Sequence, residues 1–215
     1  MNVALPSSPR RLRLMLWHWG RRGGGPRYML ELARALAARG QVETHLSFAR
    51  QCELVDDFRR LDLPAYEVDT YRNLPSAAAA TLGLPLLAWR FGQELRRRRI
   101  DAVYCAMQHL WNPAITPVIR RSGARYVFVA HDANQHPGEE SRMREWMLNR
   151  DLAAADAVVA LSRSVRDRLA AERGLPANRI HVLPHGALPF PGAAAAARSA
   201  FANLFVQPMR HAPAA

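Results

Sequence analysis

Residues 156–186 read DAVVALSRSVRDRLAAERGLPANRIHVLPHG. A short apolar run at 157–161 leads through a polar turn into a segment of helical period at 164–173. A second apolar run at 180–183 follows and ends in Pro184-His185-Gly186. Apolar runs of strand length on either side of one amphipathic helix predict a strand–helix–strand unit. Gly174 suits a left-handed helix stop, and Ser164 with Asp167 offers a capping pair at the helix start.

The same alternation extends back to the N-terminus. Strand-like runs lie at 12–19, 42–49, 65–71, 102–107 and 126–131, and helical segments at 28–39, 53–61, 86–99, 113–121 and 139–154. Gly40 and Gly123 mark further helix ends. Runs that are apolar along most of their length are buried on both faces, which calls for a parallel sheet covered by helices on both sides. The fold expected is therefore α/β, a Rossmann-like parallel sheet over residues 12–190. A short tail, 1–11, precedes it, and an atypical Ala-rich tail, 191–215, follows. That tail opens with five alanines after Gly192, and no carboxylate occurs beyond Glu172. A terminal helix over 193–205 and disorder are both compatible with it.

Hydrophobic content of 49% and charged content of 22% fit an ordinary globular domain. All 30 basic residues are arginine, and against 18 acids they leave a net charge of +12. Such a surplus favours anionic partners, nucleotides or acidic lipid surfaces among them, unless it is only a solvated compositional bias. Cys52 and Cys105 show no partner pattern, so neither a disulfide framework nor a zinc site is expected, and a reducing, cytoplasmic setting follows. The run at 12–19 lacks a small-residue cleavage site and reads as a first strand. The longest apolar stretch, 77–89, contains Gly83 and Pro85 and is too short to span a bilayer.

In an open parallel sheet ligands sit beyond the carboxyl ends of the strands. That rule selects the loops at 20–27, 108–112, 131–138, 162–164 and 184–186. Gly23-Gly24-Gly25 follows the first strand and opens a helix, so its N–H groups can approach a phosphate at a helix N-terminus. Arg21, Arg22 and Arg27 flank the loop; the alternative is a flexible turn without a ligand. Neither G-x-G-x-x-G nor a phosphate-loop lysine is present, which disfavours dinucleotide and P-loop chemistry. His131-Asp132 ends the fifth strand, where an imidazole beside an acid can orient a hydroxyl or exchange a proton. The competing reading is a turn in which Asp132 or Asn134 caps the next helix and His131 merely satisfies a backbone group. His136 reads as a loop residue and His18 as core or rim. Arg96, Arg97, Arg98 and Arg99 close a helix, where they complement its dipole or, with Trp89 and Phe91 nearby, meet a membrane surface. No aromatic spacing for single-stranded nucleic acid is apparent.

Together, Gly23-Gly24-Gly25 with residues 30–40 (LELARALAARG), His131-Asp132, and residues 156–186 resemble the N-terminal domain of the family 4 glycosyltransferases, which have the two-domain GT-B fold. The resemblance covers roughly 12–186. It implies transfer of a sugar from a nucleotide-diphosphate donor to a glycan or lipid-linked acceptor, with retention, without a metal and without a further cofactor. By the same resemblance His131 and Asp132 are catalytic, and Gly23, Gly24, Gly25, Arg27, His185 and Gly186 bind substrate. The family's second domain carries a pair of glutamates in fixed spacing, but no Glu here has another Glu eight positions on. The Gly-Val-Asp usual after the last strand is Gly186-Ala187-Leu188. The expectation is an acceptor-binding half without its donor domain, inactive alone and cytoplasmic, with peripheral contact at the inner membrane face left open as an alternative. The alternatives are a non-catalytic module serving a separate donor subunit, and another nucleotide-using Rossmann-like enzyme such as a deaminase or epimerase.

Overall fold

The computed structural model describes residues 10–134 and 141–184. The chain runs β1 (Arg13–His18), α1 (Gly24–Arg39), β2 (Glu43–Ala49), α2 (Val55–Arg59), β3 (Ala65–Val68), α3 (Leu74–Leu82) and α4 (Leu84–Arg97). It continues through β4 (Ala102–Cys105), α5 (Asn112–Arg121), β5 (Arg125–Ala130), α6 (Arg142–Ala154), β6 (Ala157–Ala160), α7 (Arg163–Arg173) and β7 (Ile180–Val182). All strands pair in parallel in the order β3-β2-β1-β4-β5-β6-β7. This is the Rossmann-like sheet expected from the unbroken apolar runs.

Alternation along each strand divides the core into two layers. Leu14 and Leu16 of β1 face α1, where they meet Met29, Ala33 and Leu36, together with Phe48 and Phe58. Met15 and Trp17 point the other way, toward Phe91 of α4 and Ile115 and Ile119 of α5. An aromatic group knits that second layer. Trp17 and Trp19 meet edge to face at 5.4 Å, and Phe91 lies 5.2 Å from Trp19. Burying Trp17, Trp19 and Phe91 in this way supplies much of the apolar area that holds α4 on the sheet.

Local chemistry explains the element ends. Gly40 and Gly174 adopt left-handed conformations at the C-caps of α1 and α7, at φ 60° and φ 63°. The cap of α7 is Ser162 and not Ser164: β6 stops at Ala160, the helix starts at Arg163, and the Ser162 side chain accepts from the Val165 amide. Likewise α6 is capped by Ser141, not by Asp132 or Asn134. Helix α3 has no counterpart in the sequence reading. Its start is secured by Asn73, whose side chain accepts from the Ser76 amide while the Asn73 amide donates back to Ser76 Oγ.

Candidate functional site

The strand order reverses between β1 and β4. The loop after β1 leads to α1 on one face of the sheet, and the loop after β4 leads to α5 on the other. The crevice between these diverging loops is where an open α/β sheet accommodates ligands.

The three glycines of the first loop serve three different purposes. Gly23 has φ 92°, a conformation that disfavours other residues, and its amide donates to Glu53 Oε1 at 3.0 Å. Gly24 has only open space where a side chain would begin, so neither packing nor backbone conformation requires glycine there. Gly25 is packed against protein: a Cβ there would lie 2.6 Å from His18 Nε2 and 3.0 Å from Met107 Sδ. Gly20 is still tighter against the same imidazole, at 2.3 Å. His18, read as core or rim, therefore fills the space that two glycines vacate. Its Nδ1 donates to the Met107 carbonyl at 3.3 Å. Burial pushes its pKa down to about 4, opposed by that hydrogen bond and aided by the neighbouring His131.

His131 directly follows β5 and reaches the same crevice. Its Nε2 donates to the Ala106 carbonyl at 2.8 Å, just beyond β4, and its ring meets Tyr28 of α1 edge to face at 5.6 Å. The Tyr28 hydroxyl in turn pairs with that of Tyr104 at 2.7 Å. Burial pushes the Tyr28 phenol up to about 12, so it is a neutral hydrogen-bonding group at neutral pH. One chain of contacts thus joins the helix that the glycines open, strand β4 and His131. Asp132 is half-buried beside it. Arg27 is exposed on the first turn of α1, and Arg21 lies 5.1 Å over the Tyr71 ring and donates to the Arg72 carbonyl, on the β3 side of the loop. His136, His185 and Gly186 lie outside the described residues.

Sequence reading missed the group that holds the β4–α5 loop. Asp151 of α6 is fully buried and accepts from Tyr126 Oη at 2.9 Å, Gln108 Nε2 at 3.0 Å and Asn112 Nδ2 at 3.1 Å. No cation faces it in these contacts. Burial raises the carboxyl pKa, partly offset by those three donors. Asn112 also accepts from the His109 amide, and burial drives the His109 pKa down to about 3. A lone acid on the buried face of α6, beside Met147 and Leu152, was the available signal. Among the described residues no group of three or more His, Cys, Asp or Glu is placed to hold a metal ion. Cys52 and Cys105 are free and buried, and the Cys105 thiol is pushed up to about 12 by burial.

The structure divides the arginine run at the end of α4. Arg98 turns inward to the Ala65 carbonyl and Glu94, and Arg97 pairs with Glu94 at 2.8 Å, while Arg96 and Arg99 are exposed. The exposed apolar side chains Leu82, Leu86 and Trp89 lie earlier, on α3 and α4. No helix among the described residues is long and apolar enough to cross a membrane.

A parallel 3-2-1-4-5-6-7 sheet with a glycine-opened helix and a strand-end histidine at its switch point defines half of a GT-B architecture. The sequence profile of Glycosyltransferase Family 4 matches residues 22–187, and the chain belongs to that family. No curated protein sequence matches the chain. Solved structures share the fold. HepE of Anabaena, in complex with UDP and glucose, superposes with a TM-score of 0.59 at 15% identity, over 83% of this chain and 45% of that one. MurG of Acinetobacter baumannii gives 0.55 at 13%, over 80% and 45%. The UDP-GlcNAc 2-epimerase of Methanocaldococcus jannaschii gives 0.60 at 14%, over 81% and 45%. The chain thus spans less than half the length of these neighbours.

Proposed function

We propose that this domain is the acceptor-side half of a glycosyltransferase that moves a sugar from a nucleoside-diphosphate donor to an acceptor hydroxyl. The observation that carries the reading is the meeting of the glycine-opened α1 N-terminus with His131 at the switch point, through Tyr28. The open space before Gly24 leaves room for the donor diphosphate, whose charge suits a helix N-terminus, and Arg27 stands on the same first turn. His131 and Asp132 lie against the reacting sugar and acceptor.

The transfer proceeds with retention and without a metal. The bond between the donor sugar and the diphosphate breaks as the acceptor oxygen attacks from the same face, and the acceptor proton passes to the departing phosphate oxygen. The protein stabilises charge on the leaving diphosphate and positions the acceptor, contributions that preorganised donors supply without reorganisation. A second, donor-holding half completes the site. Two of the neighbours, HepE with UDP and glucose and HepE with UDP-glucose, lend support by the ligands they hold.

The test is sugar transfer from a panel of labelled nucleotide sugars, assayed with the purified chain alone and with fractions of the cells that produce it. Transfer that requires the chain and falls at least about a hundredfold in His131→Ala, the usual scale for a positioned polar side chain, is expected. Unchanged turnover in His131→Ala removes that residue from the site. Chain-dependent interconversion of the donor sugar without transfer identifies an epimerase instead.

A further inference from the structure

Next to the switch point, the carboxyl ends of β2 and β3 enclose a second cleft of about 500 Å³, lined by Arg21, Arg22, Arg50, Gln51, Asp69 and Arg72. Four guanidinium groups face one carboxylate in this lining. Asp69 is already engaged, accepting from Arg50 and from Gln51 Nε2 at 3.1 Å, and Arg50 also meets Glu67 at 3.4 Å. Arg21 is spent on the Tyr71 ring and the Arg72 carbonyl. Among the described residues, the guanidinium groups of Arg22 and Arg72 make no hydrogen bond or ion pair, although they line the same cleft as two further arginines.

Backbone contacts hold the cleft in shape. The Glu53 amide donates to the Arg21 carbonyl at 2.9 Å, the Arg50 amide to the Val68 carbonyl at 2.9 Å, and Gln51 Oε1 accepts from the Thr70 amide at 2.9 Å. The loops after β1, β2 and β3 are thereby fastened to one another around the arginines. Asp69 and Glu67 balance Arg50, whereas the charges of Arg22 and Arg72 have no carboxylate partner among the described residues, which favours an anion in this concavity. Two unengaged planar forks present several N–H donors, which match the three terminal oxygens of a phosphate dianion better than the two of a carboxylate.

We propose that this cleft is a binding site for a phosphomonoester group on the acceptor, set beside the crevice that takes the donor diphosphate. The inference rests on the acceptor-side reading above and names the acceptor's chemical class. The Tyr71 ring, stacked near His109 at 5.9 Å, lies beneath Arg21 of this lining, and the sugar or alcohol bearing the phosphate packs on that side. A soluble sugar phosphate and a lipid phosphate both present this group.

Titration of the purified chain with glucose 6-phosphate, and separately with phosphatidylcholine vesicles with and without phosphatidic acid, distinguishes the two sources. Binding of either probe that weakens about tenfold in Arg72→Gln and again in Arg22→Gln, at unchanged melting temperature, is the expected result; one charge-assisted bidentate pair is lost in each variant. Absence of binding to both probes at millimolar concentration overturns the proposal, as does binding indifferent to both substitutions or equal binding of glucuronate. Amide shifts of Gly24 and Gly25 induced by UDP-glucose, recorded on wild type and Arg72→Gln, separate this claim from its parent. Shifts kept in Arg72→Gln while phosphate binding is lost support two distinct clefts. Shifts lost together with phosphate binding overturn the proposal and make the cleft part of the donor site. UDP-glucose shifts without phosphate binding defeat this proposal alone, whereas Arg72-dependent phosphate binding without UDP-glucose shifts supports it and defeats the donor reading.

Discussion

Gly25→Ala and Gly24→Ala, adjacent substitutions at the start of one helix, are expected to behave oppositely. Neither glycine has a left-handed φ, so alanine is permitted at both, and removing glycine from a helix contributes about 0.5–1 kcal/mol. At Gly24 nothing opposes that gain. At Gly25 the new methyl would stand 2.6 Å from His18 Nε2, 2.8 Å from its Cε1 and 3.0 Å from Met107 Sδ. The imidazole has no room to withdraw: it is 5% exposed, bonded to Met107 and closely backed by Gly20. Overpacking of this kind costs about 1–3 kcal/mol, which offsets the helix gain and leaves a net loss of up to about 2.5 kcal/mol. Urea denaturation at pH 7.5 measures it directly. Combining Gly25→Ala with His18→Ala should recover part of the loss, as a favourable coupling of about 0.5–2 kcal/mol in a double-mutant cycle. Equal stability of Gly24→Ala and Gly25→Ala, or zero coupling with His18→Ala, would refute the idea that this glycine is there for the histidine.

Two further outcomes follow from buried polar groups. The folded-state pKa values of His18 and His109 lie near 4 and 3, below the 6.5 of the unfolded chain. The unfolded chain therefore binds more protons in that interval, so the stability present above about pH 6.5 should fall as the pH drops toward 4, by several kcal/mol in order of magnitude. A flat urea midpoint between pH 7 and pH 4.5 would contradict the burial of these rings as neutral groups. Asp151→Ala strands the donors of Gln108, Asn112 and Tyr126 and should cost about 2–4 kcal/mol by urea denaturation. Asp151→Asn keeps one acceptor and lets the Tyr126 hydroxyl reverse its role, so it should cost less than half as much.

Periodicity carried most of the fold, because runs such as 102–105 and 157–160 are buried on both faces and admit few arrangements other than a covered parallel sheet. Gly40 and Gly174 were readable because their conformation excludes most other residues. Helix α3 was not, since four alanines between Pro75 and Gly83 show no polar stripe. At the site, His131 could be placed from its position at a strand end. The role of His18 could not, because no spacing rule says that its ring will occupy the room left by Gly20 and Gly25. Arg22 and Arg72 are likewise joined only by the adjacency of the β1 and β3 loops, fifty positions apart in sequence. Asp151 is a similar case, a helix residue whose partners come from β5 and the β4–α5 loop.

In the proposed function, the switch-point crevice receives a nucleotide sugar between the glycine-opened helix and His131. An NMR titration of the isotope-labelled chain with UDP-glucose tests it most directly, since it registers millimolar affinities. Saturable shifts are expected at the amides of Gly24 and Gly25 and at the His131 imidazole, with the amides of β7 unmoved. Shifts confined to other surfaces, or none at the highest concentration reached, would contradict it.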